Sequence, residues 1–209
     1  MVYEKKMKKP GSGAGRYSKP GQAPESIRLF IALTVPEDVR KSLYRTISIL
    51  AESDRQIRQV PVENIHLTLR FLGDTRCDRI EKIMQAVGQT SQEFHKFHYL
   101  IAESPGAFPS LKSAKVLFAG VTESSEKIEE IFSKLEDGLS RIKIRKEPRK
   151  FVSHVTLARI RERKDLTESA ARLLFDVKEP VLCSEIVLFE SILKPAGAEY
   201  VILKRYELK

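Results

Sequence analysis

From Ile27 the chain reads IRLFIALTV, an apolar run of strand length that predicts a buried strand. Pro36 then opens a segment in which Val39, Leu43, Ile47 and Leu50 recur at the spacing of one helix face. A strand is expected from Asn64 to Leu72, ending at Gly73-Asp74, and a second amphipathic helix over Ile80, Ile83, Met84 and Val87. Strands near 97–103 and 114–121 come next. Between Ser124 and Leu139 the residues Ile128, Ile131, Phe132, Leu135 and Leu139 share one helical face, with acids near its start. After a basic alternating stretch, RIKIRK, the pattern predicts a strand from Phe151 to Ile160, a short helix around 167–175, and two closing strands at 181–192 and 199–207. The class is mixed α+β.

One interval recurs along this pattern. His66 and His154 are 88 residues apart, and the same offset relates Thr68 to Thr156, Leu69 to Leu157, Leu29-Phe30 to Leu117-Phe118 and Thr34 to Thr122. Each match opens or closes a strand–helix–strand unit, so the chain reads as a duplication. Two such units related by a pseudo-twofold axis would bring His66 and His154 together across a cleft.

Composition narrows the class further. With 209 residues and 42% hydrophobic content the chain can bury one substantial core. No run approaches the roughly eighteen apolar residues of a spanning helix, and the first residues lack a secretory apolar core, so a cytoplasmic protein away from membranes is expected. Cys77 and Cys183 have no metal-ligand or C-x-x-C spacing, and packing in a reducing compartment is their expected role. The formal charge of +9 is uneven: residues 1–24 hold six Lys and Arg against one Glu, a net +5. Residues 1–26 therefore read as a disordered basic tail, either solvated or serving as an RNA-tethering arm, and 27–209 as one domain of two pseudo-symmetric lobes, expected to be a monomer.

The chemistry concentrates in NIHLTLRFLG and FVSHVTLARI. On a strand, side chains alternate between faces, so His66 shares a face with Thr68, and His154 with Thr156, while Leu67, Leu69, Val155 and Leu157 point the other way. The eight threonines in the chain make His-x-Thr expected at only about 4% of histidines, so two such motifs at matched positions are informative. Two opposed imidazoles, each with an ordinary pKa near 6.5, suit phosphodiester hydrolysis: one accepts water's proton while the other protonates the departing oxygen. Threonine hydroxyls can hold the non-bridging oxygens. His95 and His98 lack further ligands for a zinc site, so no metal and no cofactor is expected, and both residues read as surface or strand-edge positions.

These paired motifs, with RLFIALTVP before them, FLGD after the first, GAFPS at 106–110 and a late VLFES, resemble the 2H phosphoesterase superfamily. The nearest branch is the RNA 2′,3′-cyclic phosphodiesterases, LigT-like proteins historically called 2′-5′ RNA ligases. The resemblance implies a bilobal α+β fold in which two antiparallel sheets flank a central cleft, with helices outside. It implies a metal-independent reaction, with His66 as proton donor, His154 as acceptor, Thr68 and Thr156 as phosphate ligands, and a 2′-phosphate product. Two positions depart from the pattern. Ser153 stands where relatives usually have proline. The family pattern HxTxAR makes Arg159 a phosphate ligand, whereas strict alternation puts Arg70 and Ala158, and not Arg159, on the face of the histidines. A bulge near Ala158 would reconcile the two, and Arg70 stands as an additional candidate.

The implied partner is RNA ending in a 2′,3′-cyclic phosphate, which forms only beside a 2′-hydroxyl. Basic residues flank the second motif: Arg141, Lys143, Arg145, Lys146, Arg149 and Lys150 precede it, and Arg161, Arg163 and Lys164 follow. They would also disfavour a protonated His154. Phe30 and Phe71 are candidates to stack a terminal base, with core packing the plainer role for aromatics on strands. Alternatives within the same constellation are 2′-5′ ligation and hydrolysis of a small cyclic nucleotide; a non-catalytic RNA-end binding module is the alternative of another class.

Overall fold

The computed structural model describes residues 24–195 and 197–209. The tail expected over residues 1–26 lies outside the described residues except for its last three, and Ser26 already pairs with Arg76. Along the described chain run β1 (Ser26–Thr34), α1 (Glu37–Ser53), β2 (Ile57–Gln59), β3 (His66–Arg76), α2 (Ile80–Ser91), β4 (Phe97–Phe108), β5 (Ala114–Glu123), α3 (Ser125–Arg141), β6 (His154–Lys164), α4 (Thr167–Ala171), β7 (Val181–Cys183), β8 (Glu185–Lys194) and β9 (Gly197–Glu207). No helix among the described residues is long and apolar enough to cross a membrane.

The strand order is β7-β4-β5-β6-β3-β1-β8-β9, with β2 added beside β6. Two antiparallel halves, β9-β8-β1-β3 and β7-β4-β5-β6, meet through a single antiparallel pairing, Leu67 with Val155. These two residues are themselves 88 apart, so the pairing lies on the pseudo-twofold axis. On one side of it stand His66 and Thr156, on the other Thr68 and His154. Leu67 and Val155 are fully buried, and the side chains flanking them on each strand therefore turn to the opposite face. Leu29, Ile31, Leu33, Leu43, Ile47, Leu117, Ile128 and Leu135 belong to the same core as Leu67 and Val155, so the two halves share one core. Each fully buried aliphatic side chain of this kind contributes about 1.5–3 kcal/mol.

The duplication holds element by element, with one displacement. α1 and α3 are each 17 residues long and start 88 apart, as do β3 and β6. The neighbouring strands slip by two: Thr34 pairs with His66, whereas Gly120, 86 residues beyond Thr34, pairs with His154. The matches of Leu29-Phe30 with Leu117-Phe118 and of Thr34 with Thr122 are therefore not register equivalents. The bulges do agree. One extra residue stands between Arg70 and Thr68 opposite β1, and one between Ala158 and Thr156 opposite β5, namely Leu69 and Leu157.

Several expected boundaries move. β3 starts at His66 and runs past Gly73, whose φ of +68° lets the strand turn without ending. β6 starts at His154, and residues 151–153 are irregular. The expected strand 181–192 divides at Ser184, because β7 pairs with β4 in one half while β8 crosses to β1 in the other. β4 continues to Phe108, α4 stops at Ala171, and β2, only three residues long, carried no pattern of its own. Cys183 is buried as expected, but Cys77 is exposed at a turn.

Candidate active site

The cleft between the halves has a volume of about 530 Å³. His66, Thr68, His154 and Thr156 all line it, together with Arg70, Phe71 and Arg159. The two histidines are held alike. Nδ1 of His66 lies 2.7 Å from the carbonyl oxygen of Asn64, and Nδ1 of His154 lies 2.7 Å from that of Val152, the residue 88 further on. A carbonyl only accepts, so Nδ1 carries the proton in both rings and Nε2 is left as the basic nitrogen. The Thr68 hydroxyl donates to Nε2 of His66 at 2.9 Å.

Aromatic rings bed both imidazoles. Phe30 stacks on His66 with centroids 4.8 Å apart, and Phe189 and Tyr200 stand at 6.0 and 5.4 Å. Phe108 and Phe118 meet His154 edge-on at 5.0 and 5.3 Å. Gly106, paired with Phe118, makes room for that ring, since a Cβ there would come within 2.5 Å of it. Burial in this apolar bed pushes the pKa of His66 down from 6.5 to about 4, outweighing the bond to Asn64, with His154 adding repulsion. Burial also lowers His154, and Arg159 acts in the same direction. Flanking cations alone would have made His154 the harder of the two to protonate; the denser aromatic packing makes it His66.

The bulges decide the fate of the arginines. Beyond Leu157 the alternation of β6 inverts, so Ala158 is buried and Arg159 is exposed into the cleft. Beyond Leu69 the same inversion turns Phe71 outward, 51% exposed, at the position equivalent to Arg159. Arg70 is not free to take a phosphate. Its Nε lies 2.9 Å from Glu136, its Nη1 2.7 Å from Glu147, and its Nη2 donates to the carbonyl of Arg145 at 2.6 Å. Glu136 in turn accepts the backbone N–H of Glu147 at 2.6 Å. Arg70 thus ties α3 and the 142–153 loop to β3. Phe30 is completely buried beneath His66 and cannot stack a base. Phe71 is open to one.

Sequence reasoning missed Tyr200, which enters the cleft from β9, and Phe132 and Phe151, whose rings stack at 4.4 Å on its other wall. Tyr200 and Phe132 belong to no motif, and Phe151 opens FVSHVTLARI but reads there only as the start of a strand. Phe132 fell on the apolar stripe of α3, and only the tertiary fold separates it from the core residues beside it. Ser153, buried next to His154, leaves its Oγ without a partner. His95 and His98 are exposed and remote from this cleft. Among the described residues no group of three or more His, Cys, Asp or Glu side chains is arranged to hold a metal ion.

Comparison with known proteins agrees with this geometry. The sequence model of the family described as LigT like Phosphoesterase matches residues 33–118 and 120–200, each stretch holding one His-x-Thr motif. The RNA 2′,3′-cyclic phosphodiesterase of Methanothermobacter thermautotrophicus is 29% identical over 185 residues, which span 87% of this chain and 99% of that protein. The protein of the same name from Aeropyrum pernix is 30% identical over 166 residues, or 77% and 90% of the two chains. The crystal structure of TT0787 from Thermus thermophilus superposes with a TM-score of 0.72 at 26% identity, covering 87% of this chain and 98% of that one. Apo LigT of E. coli shares the fold, with a TM-score of 0.73 at 23% identity over 89% of this chain and 99% of that one. By sequence match, duplicated topology and paired motifs, the chain belongs to the LigT-like phosphoesterases, within the 2H superfamily.

Proposed function

We propose that the protein hydrolyses RNA 2′,3′-cyclic phosphate ends to 2′-phosphates by acid–base catalysis between His66 and His154, without a metal. The observation that carries this reading is the pair of imidazoles in one cleft, each with Nδ1–H bound to a carbonyl, which leaves Nε2 as the nitrogen that can exchange a proton. Relatives that share nearly their whole length with this chain bear the name of this activity.

In this reading the cyclic phosphate lies between the imidazoles, and Thr68, Thr156 and Arg159 bind its non-bridging oxygens. Nε2 of His154 takes a proton from water as the water oxygen attacks phosphorus. The bond from phosphorus to the ribose 3′-oxygen breaks opposite it, and His66 delivers a proton to that oxygen, leaving a 2′-phosphate and a 3′-hydroxyl. Burial leaves His66 neutral in the free protein, so the donor role requires the negative charge of the bound phosphate to favour its protonation. The Thr68 hydroxyl must then turn from Nε2 to the phosphate. The strain of the five-membered ring supplies reactivity that an unstrained diester lacks.

The test is one incubation of an oligoribonucleotide bearing a 2′,3′-cyclic phosphate with a second bearing a 5′-hydroxyl, in excess chelator. Conversion of the cyclic end to a monoester is expected. Joining of the two strands would favour ligation, and binding without turnover would make this an RNA-end binding module. Turnover lost in chelator and restored by a divalent ion would overturn metal independence.

A further inference from the structure

β6 continues beyond the cleft, and its outer part carries a feature that its pseudo-symmetric partner lacks. After the bulge its side chains alternate between buried Ala158 and Ile160 and exposed Arg159 and Arg161; a second irregularity opposite β5 follows, and Arg163, further out on the same strand, is exposed as well. Arg159 lines the cleft, so the row leads outward from the phosphate site. Alternate residues of a strand lie about 6.6 Å apart, comparable to the distance between successive phosphates in an extended single strand. Among the described residues none of these three guanidiniums is engaged in an ion pair, and the acid near the end of the row, Asp54, is taken by Lys164. The equivalent positions on β3, 88 residues earlier, are Phe71, Gly73 and Thr75, with no charge at all. The two arginines of β3, Arg70 and Arg76, are both held in ion pairs, so the row on β6 gives the cleft a direction.

The geometry points to Arg161 and Arg163 as a track for the ribose–phosphate backbone upstream of the reacting end, so that the preferred substrate is an oligoribonucleotide terminus and not a free cyclic mononucleotide. This rests on the reading of the cleft proposed above. A cyclic phosphate closes the 3′ end of a chain, so the rest of the strand leaves from the 5′-oxygen of the last ribose. It passes Arg159 and lays its next phosphates against Arg161 and Arg163, while exposed Phe71 faces the terminal base. An acidic protein surface would also meet these cations, but it would have no reason to begin at the phosphate site.

The test compares 2′,3′-cyclic AMP with a hexaribonucleotide ending in a 2′,3′-cyclic phosphate, for wild type and the Arg161→Gln/Arg163→Gln double variant, over a range of salt. Wild type should show the lower KM for the hexanucleotide. The double variant should raise that KM about tenfold and flatten its salt dependence by about 0.7 per lost phosphate contact, with kcat and KM for cyclic AMP unchanged. Equal losses on both substrates, or none on the hexanucleotide, would overturn the track. A wild type inactive on both would refute the reading of the cleft, and the track is then judged by fluorescence anisotropy of a labelled hexanucleotide ending in a 2′-phosphate. Weaker and less salt-sensitive binding by the variant supports it; equal binding overturns it. Competition by polyglutamate as effective as that by RNA would also overturn it, reassigning the row to an acidic protein.

Discussion

His66 is the residue on which several scales of the structure converge. Its ring stacks on Phe30 in an aromatic bed, its Nδ1–H is bound to Asn64, and its pKa stands at about 4 against 6.5 in an unfolded chain. Between those two values the unfolded state binds more protons than the folded one, so stability falls as pH drops through the window. At about 1.4 kcal/mol per pH unit, this one group costs about 3 kcal/mol by pH 4. His66→Asn, which does not titrate, should therefore lose less stability than wild type between pH 7 and pH 4.5 in urea denaturation. Parallel losses in the two proteins would mean that His66 is as easily protonated in the folded state as in water. In the proposed reaction the threonines would act differently from the histidines, because a hydroxyl binds charge without moving a proton to or from the reacting atoms.

Among the elements, the two bulges carry the most functional weight, and they were the least legible. The His-x-Thr-Leu motifs, the apolar stripes of α1 and α3 and the 88-residue offset could all be read from side-chain identity, because each depends on local periodicity. Whether Arg70 or Arg159 stands exposed in the cleft depends on an extra residue at Leu69 and Leu157, fixed by pairing with β1 and β5 far away in sequence. Tyr200 and β2 stayed hidden for the same reason: nothing local announces a cross-sheet neighbour. Arg70, with its side chain 10% exposed, acts as a tie between Glu136 and Glu147. Arg70→Met should destabilise the protein by about 3 kcal/mol or more, since it strands a buried carboxylate. Arg70→Lys should recover little of this, because a single ammonium cannot reach three acceptors in a planar fork. Chemical denaturation checks both. A Met variant as stable as wild type would show that the ion pairs contribute nothing to the tie.

At the scale of the whole molecule, duplication gives two equivalent histidines and divergence gives them different surroundings. Equivalent strands meet at Leu67 and Val155, which places one imidazole on each side of the axis. The differences then accumulate around that axis: Phe71 against Arg159, Arg70 against Ala158, three aromatic rings around His66 against two around His154. Residues 1–24 carry a net charge of +5. Their removal should leave turnover of a dinucleotide substrate unchanged and weaken only binding to long RNA, measured by steady-state kinetics and anisotropy. Collapse of dinucleotide turnover in a folded truncated protein would assign the tail to the site itself. The central claim, that two histidines open a cyclic phosphate by acid–base catalysis, is tested most directly by following 2′,3′-cyclic AMP by phosphorus NMR in chelator, with wild type and with His66→Ala and His154→Ala. The account predicts that the cyclic signal gives way to that of the 2′-monoester, about 10²–10⁴-fold more slowly in either histidine variant, with Thr68→Ala and Thr156→Ala losing less and partly in KM. Near-wild-type rates in either histidine variant would contradict it, and a 3′-monoester product would reverse the orientation assigned to the substrate.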